Sequence, residues 1–121
     1  SHCFIFSLMS NAFVNKKVDL TSNSATTIYT VPTATTAVIK SILVSEDSGN
    51  ADTITVTITD ADAAVFSLFK TKAISANATT ELLSAPLVAE ESEIIKVTAA
   101  TANRLHVVLS ALEIKPREVT T

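Results

Sequence analysis

Glycine stands only once in the 121 residues, at Gly49, and tryptophan is absent. A phosphate-cradling P-loop or a dinucleotide-binding turn needs several glycines at fixed spacing, so both are excluded. The same scarcity argues against a β-helix punctuated by glycine. One cysteine, Cys3, cannot close an internal disulfide, and it leaves the redox compartment open. His2 and His106 are the only histidines, too few for a zinc set. No serine sits in a G-x-S-x-G elbow and Cys3 falls in a terminal stretch, so no nucleophile–base pair forms. Positive charge is scarce and dispersed, with nine Lys and Arg against twelve Asp and Glu and a net charge of −3. No basic run exceeds Lys16-Lys17, so the basic patch of a nucleic-acid binder is missing. No apolar run approaches the roughly 20 residues of a membrane-spanning helix. These absences point away from an enzyme, a metal, a cofactor, a nucleic-acid partner and a membrane partner.

What is present is β-branched. Hydrophobic residues make up 47% of the chain but aromatics only 5%. Ala, Val, Ile, Leu and Thr dominate, and Val, Ile and Thr suit a pleated surface because they are stiff at χ1. Helical periodicity is weak, whereas alternation is strong. It predicts strands over residues 18–20, 26–31, 36–45, 53–59, 65–74, 79–83, 87–88, 93–99 and 104–114. Turn clusters such as Asp47-Ser48-Gly49-Asn50, Asp60-Ala61-Asp62 and Thr101-Ala102-Asn103 separate them. That rhythm predicts one all-β domain: an antiparallel β-sandwich, jelly-roll-like, of about seven or eight strands. The expected core is Ile28, Val38, Ile42, Val44, Ile54, Val56, Ile58, Phe66, Leu68, Leu82, Ile95, Val97, Val107, Leu109 and Leu112. With glycine so scarce, Asn and Asp are expected to take the positions of positive φ.

The candidate sites are few. In "TITVTITD", Ile54, Val56 and Ile58 alternate with Thr53, Thr55, Thr57 and Thr59. One apolar and one polar face mark a half-buried strand, and the threonine face is a candidate interface for a protein partner. The loop at 46–52 offers the oxygen ligands and turn glycine that Ca²⁺ favours, without EF-hand spacing, and it reads equally as a hairpin. Asp60 and Asp62 have no His or Arg beside them and read as a solvated turn. Glu90, Glu91 and Glu93 read as a solvated loop, or as a seat for a basic arm.

The N-terminal "SHCFIFSL" is apolar and lacks the positive region of a signal peptide. Met9-Ser10-Asn11-Ala12 reads as a natural start. The expected division is an N-terminal arm or extension at 1–17, a β-sandwich at 18–115 and a C-terminal tail at 116–121. Phe4, Phe6, Phe13 and Val14 are the candidate arm residues, by strand addition to a neighbour. Deleting 1–17 is expected to leave a folded monomer that no longer assembles.

Three stretches carry a resemblance. "TTIYTVPTATTAVIKSILVSEDSGNADTITVTITD", "ELLSAPLVAEESEIIKVTA" and "LHVVLSALEI" resemble small β-sandwich virion proteins of tailed bacteriophages, of the marine and cyanobacterial type, over residues 18–114. The strongest parts are Tyr29-Thr30-Val31-Pro32, the run 38–44, and 93–98 with 107–114. The resemblance implies a structural role in the virion, assembled in the host cytoplasm, as capsid decoration (cement) or as a neck or tail component. It implies a homo-oligomer, trimer or dimer, in contact with the major capsid or other virion proteins. It transfers no active-site residue. The chain departs from the pattern at Thr33-Ala34, where Ala-Gly is usual, and at Glu91-Ser92-Glu93, where a Gly-Asp turn is usual. A binding module of adhesin type, holding glycan or Ca²⁺ through 47–52, is the alternative from another class.

Overall fold

The computed structural model describes the backbone of residues 5–120 and the side chains of residues 10–116. The described chain forms nine strands: β1 Ile5–Asp19, β2 Thr26–Thr30, β3 Thr36–Glu46, β4 Asp52–Thr59, β5 Val65–Ile74, β6 Thr79–Glu81, β7 Leu87–Ala89, β8 Ile94–Ala99 and β9 Leu105–Thr120. They make two antiparallel sheets. The first runs β1-β9-β3-β6, with β7 also on β3, and the second runs β2-β8-β4-β5. β6 pairs with Leu43, Val44 and Ser45, and β7 pairs with Ala37, Val38 and Ile39, so the two behave as one strand broken between them. Counted that way, the pairing is nested: first with last, second with next to last, and β4 with β5 innermost. This is the β-sandwich expected from the alternation, wound as a jelly roll.

The core is built from Ile39, Ile42, Val44, Ile54, Val56, Ile95, Val97, Val107 and Leu109, all fully buried, with Leu20, Val31, Ile74 and Leu105 closing the ends. Local irregularities decide where this differs from simple alternation. β3 carries a bulge between Ile39 and Ser41. A bulge inserts one residue and shifts the phase of a strand. Ala37 and Ile39 therefore face inward before it, and Ile42, Val44 and Glu46 after it. Val38, expected in the core, faces outward. A bulge between Thr27 and Tyr29 in β2 buries Ile28 and Tyr29 together. In β9 the inward set is Leu105, Val107, Leu109, Ala111 and Glu113, which turns the expected core residue Leu112 outward. Phe66 was also expected inside, yet it is 55% exposed. It opposes Ile58 on the edge strand β5. β5 is the outer strand of its sheet, so Phe66 has a neighbouring strand on one side only among the described residues.

The expected arm and tail are strand in this structure. β1 pairs with β9 from Ile5↔Thr120 to Asp19↔His106 without a register shift. Val14 and Val18 pack against the core. Deleting 1–17 would also remove the strand that neighbours β9. Phe4 lies outside the described residues, and Phe6 is described only as the backbone position opposite Val119.

Positive φ falls on Gly49, Asn77 and Asn103, and also on Ala34, Ala63, Thr71 and Ser92. No aspartate takes this role among the described residues, contrary to expectation. Ala34 and Ser92 occupy the two turns that depart from the phage-protein pattern. Both keep a glycine-like backbone without glycine, at φ 54° and 65°. The two turns hold each other: Ala34 N donates to Glu91 Oε1 at 2.6 Å, and Ser92 N donates to the Val31 carbonyl at 3.0 Å.

Candidate interaction surfaces

The carboxylates that sequence reading offered as ligands are spent on the fold. Glu46 ends β3 with its side chain buried. It accepts from Ser48 N at 2.8 Å, Ser48 Oγ at 2.5 Å, Gly49 N at 3.1 Å and Asn77 N at 3.0 Å, tying the β3–β4 loop to the β5–β6 turn. Burial opposes its ionisation, but the Ser48 hydroxyl and these backbone amides outweigh it and lower its pKa to about 2. The other acids of the 46–52 loop point to different partners. Asp52 accepts from Thr101 N at 3.1 Å. Asp47 Oδ2 lies 3.4 Å from His106 Nδ1, whose Nε2 lies 3.2 Å from Asp19 Oδ1. Among the described residues no three His, Cys, Asp or Glu converge as metal ligands. Asp60 Oδ1 accepts from Asp62 N and Ala64 N, both at 2.9 Å, so it shapes the β4–β5 turn rather than pairing with Asp62. Glu93 Oε1 accepts from Glu90 N at 2.6 Å, which closes the turn before β8.

Two further acids, missed in the sequence, sit on strands. Glu113 is buried in β9 and accepts from Tyr29 Oη of β2 at 2.5 Å, a bond between the two sheets. Lys115 Nζ stands 3.5 Å from its other oxygen. Burial, then the Glu113 hydrogen bond and charge, push the Tyr29 phenol upward. Glu81 accepts from the Ser41 hydroxyl, from Ile42 N at 2.9 Å and from Leu83 N at 3.2 Å, where β6 leaves β3. Partial burial opposes ionisation of Glu81, but these donors lower its pKa.

The outer faces of the two sheets differ. Thr53, Thr55, Thr57 and Thr59 lie along the outer face of the second sheet, where Thr55 opposes Thr98 and Thr57 opposes Lys96. Thr55 has a local task as well, since its Oγ1 accepts from Thr71 N at 3.1 Å inside the irregular part of β5. The first sheet carries an apolar row across an otherwise largely polar outer face. Phe13 opposes Leu112, Leu112 opposes Val38, and Val38 opposes Val88, so one row crosses β1, β9, β3 and β7. Phe13 is 80% exposed and Val88 56%. Of the candidate arm residues, Phe13 thus faces solvent, while Val14 faces the core. The row was legible only in part, because its middle members were placed in the core. A separate apolar groove of about 250 Å³ opens where β6 and β7 part, lined by Leu68, Phe69, Leu82, Leu83, Pro86 and Leu87.

No protein-family model matches the chain, and no curated protein does. Solved structures share its fold. A chain in the acidic stable capsid structure of Helicobacter pylori bacteriophage KHP30 is similar over 98% of both chains, with a TM-score of 0.54 at 14% identity. A chain of infectious bursal disease virus, Gx strain, is similar over 99% of this chain and 36% of its own length, with a TM-score of 0.50 at 9% identity. A chain of the cyanophage Pam1 capsid asymmetric unit aligns over 90% and 84%, at a TM-score of 0.37 and 18% identity, too low to bear on the fold. The likeness at these identities is one of fold. The described residues contain no helix long and apolar enough to cross a membrane.

Proposed function

We propose that the chain is a non-enzymatic structural protein of a bacteriophage virion, a capsid decoration subunit that stabilises the particle through symmetric contacts. The observation that carries this reading is the end-to-end match, over 98% of both chains, to a chain of a phage capsid structure. The rest of the molecule supports it. Its buried acids are bound to turn amides and to Tyr29 rather than gathered around a cleft. Its outer surface offers an apolar row across one sheet and a threonine face on the other, which suits contact with other proteins and with copies of itself. Major capsid protein or other virion proteins are the partners in this reading, with the chain itself as a dimer or trimer. A place in the neck or tail would use the same surfaces. The test is immunogold labelling of virus particles purified from the source of the gene, with antibody raised against the chain. Regular labelling over the shell supports decoration, and labelling at one vertex or along a tail moves the protein there. Particles with no label and no peptide of the chain by mass spectrometry overturn the reading.

A further inference from the structure

A jelly roll of two sheets leaves four edges. Here three are blunted. β6 and β7 are three residues each, β2 has five residues and a bulge, and β5 breaks register with β4 twice. Short, bulged edges resist pairing with other chains. The fourth edge is β1. It runs fifteen residues, Ile5–Asp19, in unbroken register with β9, and its far side has no neighbour among the described strands. Near the termini the support thins further. β3 pairs with β9 only as far as Ile114, so positions 5–10 and 115–120 form a ribbon of two strands alone. A two-stranded ribbon is marginal in water unless a third strand or a packing surface joins it. Phe13, the most exposed large apolar side chain described, lies within this same strand.

We infer that a second copy of this chain pairs with β1, edge to edge and antiparallel, about a two-fold axis at Phe13. An identical strand has the same length and the same straight line of free amides and carbonyls, and a two-fold interface must be self-complementary. The apolar row that ends at Phe13 selects the register, and charge is compatible with it. With Phe13 opposite its copy, Asn11 meets Asn15, Ser10 meets Lys16, Met9 meets Lys17 and Ser7 meets Asp19. No like charges stand opposite each other, a condition that registers centred on Lys16 or Lys17 would break. A residue and its opposite project to the same side of a sheet, so antiparallel pairing puts both apolar rows on one side. The row Val88–Val38–Leu112–Phe13 then continues through Phe13 of the second copy into its mirror sequence. The inference gives the proposed virion subunit its homo-oligomeric contact. Particle labelling tests that reading, and solution mass tests this one.

The experiment is light scattering of the intact chain across a concentration series, beside Phe13→Glu. The expected parent mass is twice the 12.8 kDa of one chain. Phe13→Glu sets two carboxylates face to face at the axis and should weaken the dimer at least tenfold. Its melting profile under monomeric conditions should match the parent, because Phe13 is 80% exposed within the single chain. In a Cys3→Ser background, Phe13→Cys should oxidise to a covalent dimer. Lys16→Cys should not, since its copies lie about 20 Å apart along the strands, beyond disulfide reach. A parent that stays monomeric throughout overturns the inference, leaving the edge to some other chain. A closed trimer, or a dimer indifferent to Phe13→Glu, also overturns it. A dimer that Phe13→Glu disrupts but Phe13→Cys fails to cross-link overturns the register.

Discussion

Replacing Tyr29 by Phe should destabilise the sandwich and change its behaviour in alkali. The phenol bridges the layers, donating from β2 to the buried Glu113 carboxylate of β9 at 2.5 Å. Phe keeps the ring in place and removes only the donor. A hydrogen bond to a charged group contributes about 1.5–3 kcal/mol, and leaving the acceptor buried and unpaired accounts for much of that. Lys115 Nζ, 3.5 Å from the other Glu113 oxygen, keeps part of the compensation, so the lower half of that range is expected. For a domain of this size 1 kcal/mol moves the melting temperature by roughly 4 °C, so the drop should be about 6–9 °C. The pH dependence has a definite sign. Burial, then Glu113, raise the phenol above its ordinary value of 10.0. The folded state thus favours the protonated phenol. This contribution is whole below about pH 10 and is lost as pH rises above it. Tyr29 is the only tyrosine, so phenolate absorbance in the ultraviolet reports this site alone. It should appear together with unfolding, and Tyr29→Phe should lose less stability between neutral pH and pH 11 than the parent does. A phenol that titrates near 10 while the fold stays intact, or a Phe variant that melts within about 2 °C of the parent, would refute the reasoning.

Three other outcomes are expected. Glu46 is held down to about 2 from 4.5, so its contribution is whole above about pH 4.5 and fades as pH falls toward 2. Acid unfolding of Glu46→Gln should be shallower across that window than the parent's, with Glu81 supplying the slope that remains. Ala34→Gly and Ser92→Gly should each stabilise by roughly 0.5 kcal/mol, the relief of a left-handed backbone less the added freedom of the unfolded chain. A fall in urea midpoint for both would contradict the strain argument. Thr55→Val should lower stability by about 1 kcal/mol through the loss of the Thr71 amide's acceptor. Hydrogen exchange at Thr71 should rise, and an unchanged rate would show that the bulge does not depend on the hydroxyl.

The alternation in the chain was enough to read the sandwich and most of its strands, because Ile, Val and Thr at period two leave little choice of face. "TITVTITD" is the clearest case: Ile54 and Val56 are fully buried and the four threonines line the outside. What alternation does not reveal is a bulge. One inserted residue at Lys40 exchanges Val38 for Ile39, and one at Ile28 buries two neighbours together. The apolar row outside the first sheet was hidden for that reason, since a strand apolar on both faces reads as core. Leu112 is different. Its even position among Val107, Leu109 and Ala111 already set it outside, and strict counting along the strand would have found it. The acids were legible as loop residues but not as anchors, because Glu46 meets Asn77 only through the fold. The terminal strands read as arm and tail because β1 and β9 are neighbours only once the chain has closed on itself.

That closure orders events in time. β4 and β5 are joined by a short turn at Asp60, and each later pair encloses the one before it: β3 with β6 and β7, β2 with β8, and β1 with β9. Contacts between distant parts of a chain form slowly, because loop entropy must be overcome first. β1, although made first, waits for β9 before it has a sheet to join. The nesting predicts that the straight edge is completed last. Until β1 has joined β9, the edge proposed to pair with a second copy does not exist.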